Sequence, residues 1–561
     1  MRFMFSPRHL NFFIISAIWG AVACGSDSSP TEPAAAGSAG RSATEAGAGG
    51  MHPGSAGSAG SANVAGGVTA GSSNPSGGMT GSPSGGATSA GSSGTPSASA
   101  GAGGVVGSGT AGSPGAGAGA SGSNGQAGAG SVSLPPSVSA LFPVPNSSSV
   151  CLDAPLSITF SSKPTLGSTG KIAIYAQSSP NTAVDTVDLA TAQITDTIGG
   201  QTRNEVRPVF IDGNVVSVYF HQRKLSANTR YFVTVSSGAF LDSAKAAIGT
   251  VSGSSAWSFT TGAAAPAATN MVVDRAGSGP SCTVQGAFDA IPASNTAART
   301  ITVKAGNYHE ILYLNAKQNI TLHGEDRAGT VIAYPNNDML NSGTSARPMF
   351  NANATTGLVI ENLTLYNTTP QGGSQAEALR VQGDQVILRT ANFKSLQDTL
   401  LLSGRVYVVD SYVEGNVDFV WGTGVTYFDR CEIKTVGRAG AIVQSRNTTG
   451  YGYVFVDSKL TSDAGITGQV LARIDATVYP QSHVAFVNCQ MSSAISAKGW
   501  TITPAGTTQT GSLRFWEYQS TDPSGNPINV TGRDPASKQI TEAQAATMRD
   551  KATVLGGWNP Q

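Results

Sequence analysis

At 561 residues the chain is longer than one compact domain accommodates, and 70 glycines with only 12% charged residues set it far from an average globular composition. Lys+Arg and Asp+Glu balance at 33 each, with no basic stripe along the chain. That balance excludes steering toward nucleic acid or anionic surfaces as the organising principle.

In chain order, residues 1–23 read as an export signal. Arg2, Arg8 and His9 make a basic start, and Phe12 to Ala23 is mostly apolar but short for a membrane span. Ala21-Val22-Ala23-Cys24 resembles the bacterial lipobox. That resemblance implies lipidation of Cys24 and a membrane anchor, with the outer membrane or the extracellular space as destination; an ordinary secretory signal ending near Ala23 is the alternative. Residues 24–135 are almost wholly Gly, Ala, Ser, Pro and Thr, so burial cannot offset the entropy of ordering them, and a disordered Gly/Ser/Ala tether is expected. Glycine does not recur at every third place, which excludes collagen.

Residues 136–262 change to short alternating runs such as Leu156-Ser157-Ile158-Thr159-Phe160 and Tyr231-Phe232-Val233-Thr234-Val235, separated by turns such as Asp212-Gly213-Asn214. This pattern predicts an antiparallel β-sandwich. Leu225-Ser226-Ala227-Asn228-Thr229-Arg230-Tyr231 and Trp257-Ser258-Phe259-Thr260-Thr261 resemble bacterial Ig-like domains. It shows no catalytic cluster, and a spacer role is expected, with sugar binding as the alternative.

Residues 269–561 carry a repeat. Six segments beginning at Leu358, Val386, Val406, Thr426, Tyr453 and Val484 share an apolar-x-apolar unit, followed three residues on by a small or apolar residue and a further apolar one. Ala391, Ser411, Cys431, Ser458 and Cys489 occupy one column, and Asn392, Tyr412, Glu432, Lys459 and Gln490 the next. Steps of 28, 20, 20, 27 and 31 residues, with hairpin turn pairs scarce, predict a right-handed parallel β-helix in an all-β chain. Cys431 and Cys489 are then buried in one stack, too far apart for a disulfide, whereas Cys151 and Cys282 could bridge the two folded units.

Two carboxylates share a phase in this repeat: Asp398 follows Val386 by twelve residues, and Asp418 follows Val406 by twelve. Adjacent strands lie about 4.8 Å apart, so the side chains should stand side by side with their pKa values pushed apart. One could attack as a carboxylate while its neighbour holds a proton for a leaving group. His309, His323 and His483 lack metal-ligand spacing, no G-x-S-x-G occurs in the folded portion, and no cofactor is indicated.

Gln397-Asp398-Thr399-Leu400 and Val417-Asp418-Phe419-Val420-Trp421-Gly422 resemble two signature motifs of the pectin methylesterase family. Gly306-Asn307-Tyr308-His309-Glu310, Gln375-Ala376-Glu377-Ala378-Leu379 and Leu471-Ala472-Arg473 resemble three more, in the family's order. The resemblance implies that Asp418 is the nucleophile toward C6 methyl esters of homogalacturonan, and that Asp398 protonates departing methanol and later accepts a proton from water. It makes Gln397 and Gln375 oxyanion donors, and gives Arg473 the task of holding Asp418 charged. Substrate contacts are expected from Gln375, Arg473, Trp421, Phe419 and Tyr308. Tyr308 and Glu310 read from the residues alone are structural or rim positions. Where the family carries Pro and Trp after the motif arginine, this chain has Ile474 and Asp475; Trp421 could supply a replacement stacking face. Pectin is the expected partner, with a monomer expected and no metal. A lyase or polygalacturonase on the same solenoid, a non-catalytic pectin-binding adhesin and an esterase of drifted specificity are the competing readings.

Overall fold

The computed structural model describes residues 133–505 and 512–561. The export signal, Cys24 and all but the last residues of the tether lie outside the described residues.

Alternation in the first folded region buries every second side chain, as Leu156, Ile158 and Phe160 show within strand Leu156–Phe160. That strand pairs antiparallel with Val138–Phe142 and Val215–Val218. Their sheet faces a second built from Ser258–Thr260, Arg230–Val235, Lys171–Ala176 and Ala183–Asp188. Ile172, Ile174, Val216, Val233 and Trp257 fill the space between them. The result is the Ig-like sandwich.

From Asn270 the strands run parallel and return to three stacked sheets of eleven, eight and eight strands among the described residues. Each coil visits the sheets in turn, so strands with sequence neighbours on other sheets pair with strands one coil away. The sequence columns are the observed register: Asn392 pairs with Tyr412, Tyr412 with Glu432, Glu432 with Lys459, and Lys459 with Gln490. Between the first and second sheet one residue per coil adopts a left-handed conformation: Asn362, Thr390, Asp410, Arg430, Asp457 and Asn488, with φ between 49° and 54°. This single residue bends the chain from one sheet to the next, and the small residue after it packs inward. Inside, like residues stack along the axis, as in Phe428 on Phe455 at 4.3 Å and Phe455 on Phe486 at 4.7 Å between ring centroids. Cys431 and Cys489 are free and buried in this interior.

Helix Val284–Ala290 covers the first coil with Val284, Ala287 and Phe288 turned inward. Near the C-terminus Glu542–Arg549 and Lys551–Val554 form helices that the repeat reading does not anticipate. Their Ala545, Met548 and Val554 cover an outward apolar strip of Tyr407, Tyr427, Val454 and Val456 on the first sheet.

The sandwich is joined to the solenoid by a disulfide and by packing. Cys151 and Cys282 form a disulfide. The hairpin Gln193–Ile198/Gln201–Val206 reaches across so that Ile198 enters the solenoid's core and Val206 packs against it. Beside it, Asn204 exchanges two hydrogen bonds with Asn341, its N–H donating to Oδ1 at 2.8 Å and its carbonyl accepting from Nδ2 at 2.8 Å.

Candidate active site

The site forms where the chain turns from the second sheet into the third. On two successive coils this turn reads Gln397-Asp398 and Val417-Asp418, and Gln397 bridges Val417 in parallel. The Asp398 N–H donates to the Val417 carbonyl at 3.1 Å, and the Asp418 N–H to the Ala441 carbonyl at 2.7 Å. Both aspartates occupy the left-handed region, at φ 67° and 48°. A short polar side chain tolerates that conformation better than most, which is one local reason for Asp here. Equivalent backbone on adjacent coils thus sets the two carboxyl groups next to one another, only 7% and 5% exposed.

Arg473 reaches them from strand Val470–Asp475, two coils beyond Asp418. Its Nε donates to Asp418 Oδ1 at 2.7 Å and to Oδ2 at 2.9 Å, and its Nη2 also donates to Oδ2. The planar guanidinium thus engages both carboxyl oxygens and fixes their orientation. Asp398 is in a different state. Burial raises its carboxyl well above the usual range, and the neighbouring charges of Glu377 and Asp418 add to the rise against Arg347 and Arg446. The pair therefore offers a carboxyl group gripped on both oxygens by a guanidinium beside one whose proton is held more tightly than usual.

Gln375 and Gln397 lie on neighbouring coils, tied by the Ala376 N–H donating to the Gln397 carbonyl at 3.2 Å. Neither side-chain amide hydrogen-bonds another described residue, so both retain donors for a ligand. Gln397 also lines a small pocket of about 80 Å³ with Leu396, Asn416 and Gln371. A larger cavity of about 310 Å³ sits between the sandwich and the first coil and shares no lining residue with this site.

The family profile described as Pectinesterase matches residues 270–549, and one described as Bacterial Ig-like domain matches residues 132–261. Pectinesterase 31 of Arabidopsis thaliana is 31% identical over 248 residues, covering 42% of this chain and 77% of that protein. This chain belongs to the pectinesterase family. Probable pectinesterase A of Aspergillus niger is 29% identical over 286 residues, covering 49% of this chain and 82% of its own length. The solved pectin methylesterase from carrot aligns at 24% identity and a TM-score of 0.47, over 52% of this chain and 94% of that one.

Within the pectinesterase motifs, three expected substrate contacts need correction. Phe419 is fully buried in the solenoid's core, because the residue after left-handed Asp418 turns inward. Tyr308 is 1% exposed in the N-terminal coils, where its hydroxyl donates to the Lys304 carbonyl at 2.9 Å. Trp421 does stand on the outward column, next to Leu401 and Gln444. It is only 5% exposed, however, and guanidinium groups of Arg446 and Arg347 lie over its ring at 4.6 Å and 5.7 Å, so it offers no open stacking face. Asp475, in place of the family's Trp, caps a turn by accepting from the Thr477 N–H at 2.9 Å and hydroxyl at 2.6 Å. Glu310 is structural: its carboxylate accepts from the N–H groups of Val284 and Gln285 at the start of the capping helix. His309 pairs with Asp212 of the sandwich at 2.9 Å. His323 pairs with Glu361, and His483 is buried with Nδ1 accepting from Gly452.

Sequence reasoning missed Arg347, Glu377 and Arg446. Arg347 forks onto Glu377, with Nε at 3.0 Å from both carboxylate oxygens and Nη2 at 2.8 Å from Oε1. The same Nη2 donates to Asp398 Oδ2 at 3.1 Å. A usable signal existed for Glu377. It is the one charged residue among Ala376, Ala378 and Leu379, all buried, and such a residue needs a buried partner.

Proposed function

We propose that this pectinesterase removes methyl groups from C6 esters of homogalacturonan, yielding pectate and methanol, with Asp418 as nucleophile and Asp398 as acid and base. The observation that carries the reading is the asymmetry of the pair: a carboxylate gripped on both oxygens by Arg473, one coil away from a carboxyl group raised by burial.

In this mechanism an Asp418 oxygen attacks the ester carbonyl, and the developing oxyanion receives hydrogen bonds from the Gln375 and Gln397 amides. Collapse breaks the bond to the methoxy oxygen as Asp398 delivers its proton there, so methanol leaves and an acyl-enzyme anhydride to Asp418 remains. Water then attacks this acyl carbon while Asp398 takes its proton. Asp418 departs as the carboxylate, and both groups regain their starting states. No chain cleavage occurs, which separates this activity from a lyase or glycoside hydrolase.

Export and membrane anchorage through Cys24 belong to the same proposal. The disulfide between Cys151 and Cys282 supports an oxidising compartment. A monomer suffices, since every residue invoked comes from one chain.

Methanol release from highly methylated pectin tests the chemistry. Asp418→Ala and Asp398→Ala should each lower kcat by about three orders of magnitude or more in folded protein. Wild-type rates in either variant would overturn the assigned roles. Membrane fractionation of the full chain beside Cys24→Ser tests the anchor, and identical partitioning would refute it.

A further inference from the structure

Behind Asp398 lies a line of alternating charge that the de-esterification mechanism does not require. Glu377 is 0% exposed, and Arg347 and Asp398 are each 7% exposed. Arg347 touches three carboxyl groups: Glu377 through Nε and Nη2, Asp398 through Nη2 at 3.1 Å, and Asp338 through Nη1 at 3.2 Å. An arginine alone against Asp398 would favour the carboxylate and so remove the proton that the leaving group needs. With Glu377 engaging the fork, its negative charge opposes that effect of Arg347 on Asp398.

We propose that Arg347 and Glu377 act as a neutral clamp: positioning residues in which Arg347 binds one oxygen of Asp398 as acceptor, leaving its other oxygen to carry the proton, while Glu377 offsets the charge of the arginine. The inference rests on the reading of Asp398 as proton donor given above.

Every charged group facing Asp398 enters the argument. Glu377 and Asp418 favour its protonated form, whereas Arg347 and Arg446 favour its ionised form. Asp338 acts at one remove, on Arg347, and Arg473 at one remove, on Asp418. Burial raises the Glu377 carboxyl as well, and the guanidinium opposes it. Both Glu377 oxygens accept N–H bonds from Arg347, the contact through which the two charges offset one another.

The sign of the test follows. Glu377→Gln preserves shape but deletes the negative charge, leaving Arg347 uncompensated beside Asp398. The acid form of Asp398 is then lost at lower pH, and the alkaline limb of kcat moves toward acid by about 1 pH unit or more. The KM for pectin should stay within about twofold, since Glu377 is fully buried. Asp338→Asn, on a side chain that is 31% exposed, should shift the limb in the same direction by less. The double variant Arg347→Gln/Glu377→Gln should bring the limb back toward its original place.

The experiment is methanol release from methylated pectin against pH for the full chain and these variants. Wild-type protein that releases no methanol would sink the functional reading itself. Active wild type with an unmoved alkaline limb in folded Glu377→Gln would overturn the clamp alone. Should Glu377→Gln fail to fold, an unmoved limb in Asp338→Asn would overturn it, and a shift toward acid would support it.

Discussion

Arg473 holds Asp418 with a side chain that is 47% exposed, so its contribution to folding is small and its contribution to the site is large. Arg473→Lys keeps the charge but loses the planar fork. We expect kcat/KM to fall about tenfold to a hundredfold with Tm unchanged within about 1 °C, read by methanol release and scanning fluorimetry. Gln397→Ala and Gln375→Ala each remove an amide proposed to meet the oxyanion and should cost about 10²-fold in kcat. At this scale the aspartates were legible because both stand at one phase of a repeat, and Arg473 because it follows Leu471-Ala472 in a recognisable motif. Arg347 was not: its buried partners Glu377 and Asp398 lie 30 and 51 residues away, and the run Ala346-Arg347-Pro348 belongs to no repeat. Phe419 was misplaced because a motif names neighbours in sequence, while a left-handed backbone at Asp418 decides which of them faces solvent.

Among the elements, the turn between the first and second sheets is the most regular. Asn or Asp fills it at Asn362, Asp410, Asp457 and Asn488, whereas Thr390 holds the same conformation at φ 51° with a β-branched side chain. That backbone is costly for Thr and cheap for Asn. Thr390→Asn should therefore stabilise the protein by about 0.5–1 kcal/mol, seen as a rise of roughly 1–4 °C in Tm; an unchanged or lower Tm would count against strain at this position. The solenoid was readable from about Leu358 to Val484, where strand, bend and strand keep one frame. Earlier coils are interrupted by the helix Val284–Ala290 and by the long stretch between Tyr334 and Phe350, which dilutes their periodicity. The closing helices escaped notice because each is short and buries only Ala545 and Met548 or Val554.

For the molecule as a whole, the disulfide links residues 131 apart and pins the sandwich to the capped end of the solenoid. Replacing Cys151 and Cys282 by Ser should lower thermal stability, by about 2–4 kcal/mol on the usual scale for such links. It should also split one calorimetric transition into two as the units melt separately. A single transition at an unchanged temperature would show that the non-covalent contacts suffice. Composition announced two folded units and a tether, but nothing in it announced that the units share a core. The alternation in Gln193–Ile198 and Gln201–Val206 is that of any exposed hairpin, and only the partner surface reveals where Ile198 goes.

That shared core bears on how the gene can be trimmed. A fragment cut to 270–549, the span of the pectinesterase match, would lose the plug that Ile198, Val206 and Phe210 press into the solenoid's flank. The uncovered patch would be oily and sticky, inviting precipitation even with every catalytic group intact. The smallest piece worth expressing begins ahead of Val138 and takes the sandwich along as a built-in chaperone for the wall it covers.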